Sequence, residues 1–258
     1  MSPITRRTAL KYLTALGGAL LLPTPRVKGQ PLPTLLGESL TYKVSFLFWE
    51  EVGTVTFSFK RDGDGPFYLA QVNAQTKGFI ARLAGNPRFW YQSHMEMTPW
   101  GRLRTVEFIR IQERNGIKKE TRESFDYREG VMVRRDFRDD RPYKVRRYPI
   151  PPGAAIDDFV TAFYNFRLQA YGQVRPGTSF EVATVPRKGE RSKIFIKVEE
   201  QGGDLLALVN TDQEIFGTRG SPIKLLLNRQ LIPTMVTVTS VLGLGDAVGR
   251  LKDRKTET

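Results

Sequence analysis

Hydrophobic and polar residues alternate along most of the chain. One face of the first such segment is apolar throughout: Leu40, Tyr42, Val44 and Phe46. The alternation continues at 54–60 and, after the turn-forming sequence DGDG, at 68–76. A period of two residues is typical of β-strands that bury one face. These three segments therefore predict consecutive strands that pair as a meander.

The same pattern recurs toward the end of the chain and predicts about a dozen strands in all. The further segments are 89–97, 103–113, 120–127, 131–137, 179–185, 193–199, 205–216, 223–227, 234–241 and 247–251. The segment 78–87 interrupts the alternation and reads as a helical turn or an apolar loop. Many short strands separated by turns are typical of sandwiches and barrels. We expect one mainly β domain over 30–258, built as a curved antiparallel sheet or an open barrel.

One segment, PPGAAIDDFVTAFYNFR, departs from this pattern and predicts a helix. Prolines and a glycine precede two acids, and either Asp157 or Asp158 can cap the helix by accepting hydrogen bonds from its first N–H groups. Phe159, Phe163 and Phe166 then recur at spacings of four and three residues, which places them on one helical face. The segment is therefore an amphipathic helix within a strand protein.

The predicted helix covers about 157–171 and requires a surface that buries its apolar face. The concave face of a curved antiparallel sheet is the largest surface of this kind in the chain. We therefore expect one principal helix on that face. Its residues Phe159, Phe163, Phe166 and Tyr164 would form one wall of an apolar ligand groove.

The chain contains no cysteine and one histidine, His94. Disulfides, iron–sulfur clusters, thiol nucleophiles and Cys/His zinc sites are therefore excluded within a single chain. We expect neither a metal site nor a cofactor. A lone histidine on a strand is more often a surface or hydrogen-bonded residue than the centre of a catalytic triad.

The formal net charge of +13 suits an anionic partner, such as a lipid head group or a polysaccharide, although it also serves solubility alone. In 102–148 many basic residues occupy alternate positions with acids between them. This face is either a salt-bridged surface or an anion-binding one. Patterns of nucleic-acid-binding motifs do not occur, so a nucleic-acid partner is not expected.

The first residues resemble a twin-arginine export signal. Arg6 and Arg7 form the basic pair, and Lys11 fits the lysine that often follows. The apolar stretch after them is too short to cross a bilayer as a helix. We expect a signal peptide at 1–29, cleavage before Gln30, recognition by the twin-arginine machinery, and a periplasmic or other envelope location. An uncleaved anchor and the ordinary secretion route are the alternatives.

Several motifs together resemble the family of exported bacterial proteins known as domain of unknown function 3108. The motif segments are LTYKVSF with EEVGTVTF, QTKGFIARLAGNPRFWYQSHMEMTPWGRLRTVEF, PPGA, and LIPTMVTV with GRL. In the helix, the resemblance is carried by Asp158, Thr161, Ala162, Tyr164 and Arg167.

The resemblance covers about Glu38 to Leu251, and residues 210–222 depart from it. It implies an architecture like that of the periplasmic lipoprotein carriers, in which an open curved sheet holds helices on its concave side. None of the matching motifs is catalytic in kind.

Two classes of function therefore remain open. The first is a non-enzymatic envelope protein that binds an amphiphilic or anionic ligand: a lipid, a lipidated peptide or a glycan. The second is a hydrolase of envelope polymers that uses carboxylates. The pair Asp157 and Asp158 is explained by helix capping. Trp49, beside Leu47 and Phe48, forms an apolar hairpin tip that either packs inward or makes a ligand- or membrane-facing lip.

Overall fold

The computed structural model describes residues 32–187, 190–211, 221–241 and 245–256. The predicted signal peptide at 1–29 and the cleavage site before Gln30 lie outside these ranges. Within them, no helix is long and apolar enough to cross a membrane.

Fourteen strands in the described ranges form one antiparallel sheet. They are β1 (Glu38–Phe46), β2 (Trp49–Arg61), β3 (Phe67–Thr76), β4 (Arg88–Met97), β5 (Leu103–Arg114), β6 (Ile117–Asp126), β7 (Val131–Arg138), β8 (Arg141–Pro149), β9 (Ser179–Arg187), β10 (Glu190–Gln201), β11 (Asp204–Thr211), β12 (Ile223–Leu227), β13 (Pro233–Val241) and β14 (Gly245–Thr256). The two α-helices are α1 (Gly78–Ala84) and α2 (Phe159–Arg167), and a 3-10 turn covers Leu32–Thr34.

The sheet consists of two meanders joined through its first and last strands. Its order is β8-β7-β6-β5-β4-β3-β2-β1-β14-β13-β12-β11-β10-β9, so that β1 pairs with β14 and the edge strands are β8 and β9. The segment that links these edges contains α2. Just before the helix, the Asp157 N–H donates to the Ala183 carbonyl of β9 at 3.0 Å. The predicted mainly β fold with one open antiparallel sheet is confirmed.

Strand β8 was missed by the sequence analysis. Pro142 and Pro149 lie near its two ends, and β8 pairs on one side only, with β7. An edge strand tolerates proline because the missing N–H would have faced solvent rather than a neighbouring strand. Strand β11 ends at Thr211, and residues 212–216 of the predicted strand lie outside the described ranges.

The principal helix is shorter than predicted at both ends. Asp157 forms an isolated bridge with Thr184 of β9, so the helix begins only after Asp158. At the other end, Gln169 adopts a positive φ of 56°, which is incompatible with a right-handed helix. The interruption at 78–87 is a short helix, α1, which ends at Gly85 in the left-handed conformation.

The antiparallel topology gives the molecule two ends that differ. The connections β1–β2, β3–β4 and β5–β6 leave from one of them, which we call the cavity end, and α1 lies within the β3–β4 connection. The connections β2–β3 and β4–β5 leave from the other, which we call the helix end. Helix α2 packs against the concave face toward the helix end, where the Tyr164 ring lies 4.6 Å from that of Phe59.

Candidate functional site

The concave face encloses an apolar cavity of about 370 Å³. Both meanders contribute to its wall, through inward-facing residues such as Val72 of β3, Ile196 of β10 and Val236 of β13. The two meanders are hydrogen-bonded to each other through β1 and β14. Each meander supplies part of the cavity wall, so neither alone would enclose the space. The cavity volume lies in the range of roughly 300–1,000 Å³ that is usual for small-molecule sites.

Helix α2 forms the inner wall of the cavity. Phe159, Phe163 and Phe166 all line it, as does Ala162. Phe163 is only partly buried, and its ring centroid lies 5.1 Å from that of Phe57. The structure therefore brings the three predicted phenylalanines to one wall.

Tyr164, the fourth residue predicted for the groove, lies elsewhere. It is fully buried on the opposite face of α2, in the core that contains Phe59 and Tyr68. The position follows from helical geometry, since residue 164 points about 100° away from residue 163. The groove wall therefore does not include Tyr164. Burial raises the pKa of its hydroxyl far above the usual value, so it remains neutral.

The lining of the cavity is apolar almost throughout. Positions on α2 and in the middle of the strands are aliphatic or aromatic. The hydroxyl of Tyr42, one of the two tyrosines in the lining, donates to the Pro233 carbonyl at 2.9 Å. Thr76 and Thr211, which continue the inward-facing alternation of β3 and β11, lie nearest the cavity end.

Asp158 fixes the start of α2. One carboxylate oxygen accepts from the backbone N–H groups of Val160 at 2.7 Å and Thr161 at 3.1 Å, which is N-capping as predicted. The other accepts from the hydroxyls of Ser93 at 2.6 Å, Thr105 at 2.9 Å and Thr161 at 2.7 Å. Thr161 thus shares this network with Asp158. Burial raises the pKa of Asp158, and the hydrogen bonds partly offset that effect.

Arg167 fixes the other end of α2. Its guanidinium makes two hydrogen bonds to the carboxylate of Glu38 in β1, and both side chains are completely buried. Arg254 of β14 also donates to Glu38, at 3.0 Å. The sequence analysis placed Arg167 in a helix motif without finding this partner, which is 129 positions away.

Asp157 belongs to a separate buried cluster. Its Oδ2 accepts from the Arg102 guanidinium and the Asn165 amide, each at 3.0 Å, and from the Tyr171 hydroxyl. Burial raises the pKa of Asp157, while Arg102 and these hydrogen bonds act in the opposite direction. Asp157 and Asp158 therefore tie α2 to the sheet by two different routes. Neither lines the cavity, so they supply no carboxylate pair to it.

Several basic side chains of β5–β8 form ion pairs with acids. Arg104 contacts Glu96, and Arg122 contacts Glu120. Arg134 lies 3.1 Å from Asp136, and its Nη1 lies 3.5 Å from Glu123. These contacts favour the salt-bridged surface over the anion-binding one.

His94 is satisfied by a neighbour, since its Nδ1 lies 2.9 Å from Asp62 Oδ2. At the hairpin tip the rings of Phe48 and Trp49 are in contact; Phe48 is 78% exposed, whereas Trp49 is partly buried. The two alternatives for Trp49, packing inward and forming a lip, stay predictions. Within the described ranges, no group of three or more potential ligand side chains could hold a metal ion.

The family model described as "Protein of unknown function (DUF3108)" matches residues 41–201. The chain belongs to this family. The match contains the PPGA segment and the whole of α2. The LIPTMVTV and GRL segments, which also contributed to the resemblance, lie beyond it. No curated protein matches the chain.

Two solved structures of other DUF families match the chain. A β-barrel-like protein of DUF1849 from Brucella abortus superposes with a TM-score of 0.53 at 10% identity, over 87% of this chain and 99% of that one. A DUF1089 family protein from Pseudomonas aeruginosa gives a TM-score of 0.35 at 12% identity, over 74% of this chain and 92% of that one. The first similarity supports the fold and says nothing of activity.

Proposed function

We propose that this DUF3108 protein is a non-enzymatic binding protein of the cell envelope that holds an amphiphile in its cavity. The observation that carries the proposal is the composition of the wall. Phe159, Phe163 and Phe166 on α2 face aliphatic side chains from both meanders across about 370 Å³. An apolar chain placed there would gain roughly 25 cal/mol for each Å² of surface removed from water.

The two threonines nearest the cavity end suggest the orientation of the ligand. The apolar tail would lie against α2, and the polar head would lie at the cavity end, near Thr76 and Thr211. Lys43 and Lys77 also lie at this end, close enough to Glu51 for both to lower the pKa of its carboxyl. A negatively charged head group would therefore meet basic side chains at the rim. A fatty acid or a lipidated molecule has this chemistry.

Export supports the same proposal. The pair Arg6 and Arg7 and the short apolar stretch after it favour transport through the twin-arginine machinery to the envelope. An envelope protein with an apolar cavity has membrane lipids and lipidated molecules as its surroundings. Replacement of both arginines by lysine should leave unprocessed precursor in the cytoplasm. Normal export of that variant would favour the ordinary secretion route.

Binding is tested by native mass spectrometry of protein purified from its own envelope, and by titration with a fluorescent fatty acid. Ala74 of β3 lines the cavity, whereas its neighbour Asn73 is exposed. We expect Ala74→Phe to fill part of the cavity and to weaken uptake by roughly tenfold, which corresponds to about 1.4 kcal/mol of lost contact. Asn73→Tyr adds similar bulk outside the cavity and should bind as the parent does.

The two variants should keep the far-ultraviolet circular dichroism of the parent, which shows that the sheet is intact. Equal uptake by the parent and Ala74→Phe would overturn the proposal. Absence of fatty-acid uptake by the parent, with no amphiphile in the envelope-purified protein, would overturn it as well.

A further inference from the structure

Four of the large apolar side chains exposed at the cavity end form two groups. Phe48, 78% exposed, and Leu47, 49% exposed, form the turn between β1 and β2. Phe79, 64% exposed, and Leu83, 68% exposed, lie four residues apart on α1. Residues at this spacing share a helical face. Apolar groups grouped at one site in this way mark an interaction surface more often than scattered ones do.

The two groups flank the rim of the cavity. The Lys77 N–H, just before α1, donates to the Val52 carbonyl of β2 at 2.6 Å, and Val52 lies three residues after Trp49. Val44 and Val52 on one side, and Thr76 and Phe89 on the other, all line the cavity. We call the exposed residues Leu47, Phe48, Phe79 and Leu83 the apolar rim.

The segment that contains α1 carries charges of one sign. The segment 77–88 contains Lys77, Arg82 and Arg88, all exposed, and no acidic residue. None of the three forms an ion pair within the described ranges. The acids facing this segment are Glu51, which pairs with Lys43, and Glu113, which lies opposite Arg88 in the strand register. Exposed apolar side chains beside unpaired bases are the combination that binds an anionic lipid surface.

We propose that the apolar rim and the bases of α1 dock the protein on an anionic phospholipid bilayer, with the cavity facing the membrane. Phe48, Phe79 and Leu83 insert among the head groups, while Arg82 and Arg88 pair with lipid phosphates. Docking in this orientation lets a ligand move between the bilayer and the cavity without crossing water. That last consequence rests on the proposed amphiphile binding, whereas the docking itself does not.

Trp100 offers a matched control. It is 88% exposed and lies at the helix end, in the β4–β5 turn, far from the cavity rim in the topology of the sheet. If exposure of an aromatic ring alone determined membrane contact, Trp100 and Phe48 would insert equally. The proposal requires that only Phe48 does.

The absence of cysteine allows a site-resolved test on the full chain. Phe48→Cys and Trp100→Cys each introduce a single thiol, which is labelled with an environment-sensitive fluorophore. Vesicles of phosphatidylethanolamine and phosphatidylglycerol should shift the emission of the label at position 48 to shorter wavelength and leave that at position 100 unchanged. Vesicles of phosphatidylcholine alone should give a weaker shift at position 48. Because the label reports its own surroundings, binding through residues 1–29 alone gives no shift at either site.

Charge is tested separately with the labelled Phe48→Cys chain. Added Arg82→Gln and Arg88→Gln should reduce partitioning into the anionic vesicles by roughly tenfold or more, since each removes one base that is attracted to the anionic surface. Added salt should also reduce the partitioning of this variant less than it reduces that of the chain with both arginines. Equal shifts at positions 48 and 100, no shift at position 48, or unchanged partitioning of the Gln variant would each overturn the proposal. Protection of position 48 by self-association without vesicles would assign the rim to a second copy instead.

The failure of docking is distinguishable from the failure of ligand binding. The double variant Phe48→Ser with Phe79→Ser should take up a fluorescent fatty acid from solution as the parent does. Its extraction of the same probe from anionic vesicles should be slower by about tenfold, because the two phenylalanines no longer insert among the head groups. Unchanged extraction would overturn docking and leave the cavity proposal standing.

Discussion

The helix end and the cavity end of the same sheet differ in the interactions that their residues make. At the helix end, α2 fills the concave face and is held by buried polar contacts, those of Asp158 and Arg167. At the cavity end the concave face is left unfilled, and Phe48, Phe79 and Leu83 remain exposed. Hydrogen bonds and ion pairs are directional, so they hold the helix in one position. An apolar wall is not directional and can accept ligands of different shape.

The largest effect is expected from the buried ion pair. Arg167→Met leaves the completely buried carboxylate of Glu38 with Arg254 as its remaining partner of opposite charge among the contacts described above. Removing one partner of a buried pair typically costs about 3–5 kcal/mol, so the free energy of unfolding should fall by that amount. Urea denaturation followed by circular dichroism measures the change.

Arg254→Met is the matched control for that experiment. Arg254 contacts the same carboxylate at 3.0 Å, but its side chain is 31% exposed. An ion pair that is partly open to solvent contributes about 0–1 kcal/mol, so the loss should be small. Similar losses for the two variants would mean that α2 does not depend on its buried anchor.

Two phenylalanines test the difference in packing. Phe59 is 1% exposed and packs on Tyr164, whereas Phe163 has one side toward the cavity. Phe59→Ala should therefore cost about 3–5 kcal/mol of the free energy of unfolding. Phe163→Ala should cost clearly less, about 1–2 kcal/mol, because fewer neighbours lose contacts. Phe163→Ala should also weaken fatty-acid uptake. Equal stability losses would place both residues in one closed core.

The cap of α2 should have a smaller effect. Asp158→Ala removes the acceptor for the Val160 and Thr161 N–H groups, which costs about 0.5–2 kcal/mol. The hydroxyls of Ser93, Thr105 and Thr161 keep hydrogen bonds to one another, which limits any further loss. Thermal unfolding of the variant measures the total loss of stability from the cap and the hydroxyl network. A loss above that of Arg167→Met would show that the cap, and not the ion pair, dominates.

The smallest effect is a pH dependence at Glu123. Burial raises the pKa of this carboxyl, although Arg110 and Arg134 act against the rise. A raised pKa means that the folded state binds the proton more tightly, so this contribution to stability is complete below about pH 4.3, the ordinary value for glutamate. It is lost as the pH rises through the raised pKa.

Glu123→Gln does not titrate at this position and serves as the reference. The stability of the parent relative to this variant should be greatest at acidic pH and should decline toward neutrality. Unfolding midpoints measured for both chains across that pH range give the difference. If the stability of the parent relative to the variant instead increases as the pH rises, Arg110 and Arg134 lower the pKa of Glu123 by more than burial raises it.

Alternation of residues was enough to predict most of the sheet, because a half-buried strand must place apolar side chains at every second position. It failed at β8, where Arg141, Lys144, Arg146 and Arg147 leave little apolar signal and the strand pairs with β7 alone. The helix was identified by its phenylalanine spacing and its capping acid. Its length was overestimated because the bridge from Asp157 to β9 joins residues distant in sequence.

The candidate site was predicted only in part, for a similar reason. Phe159, Phe163 and Phe166 share a helical face, and that face lines the cavity. The strand residues opposite them include Ile196 and Val236. Alternation in the sequence predicts that these side chains are inward-facing, but it does not predict that they line the same cavity as α2. Sequence spacing also placed Tyr164 in the groove wall, whereas helical rotation turns it into the core.

The sequence by itself determined the class of fold, the place of α2 and the exclusion of cysteine chemistry, since periodicity and composition are local properties. Tertiary structure decided the pairing of β1 with β14, the ion pair of Arg167 with Glu38, and the position of an open cavity at one end of the sheet. Each of these depends on contacts between residues far apart in the chain. A local pattern reports that a side chain is buried, but it does not report against which partner.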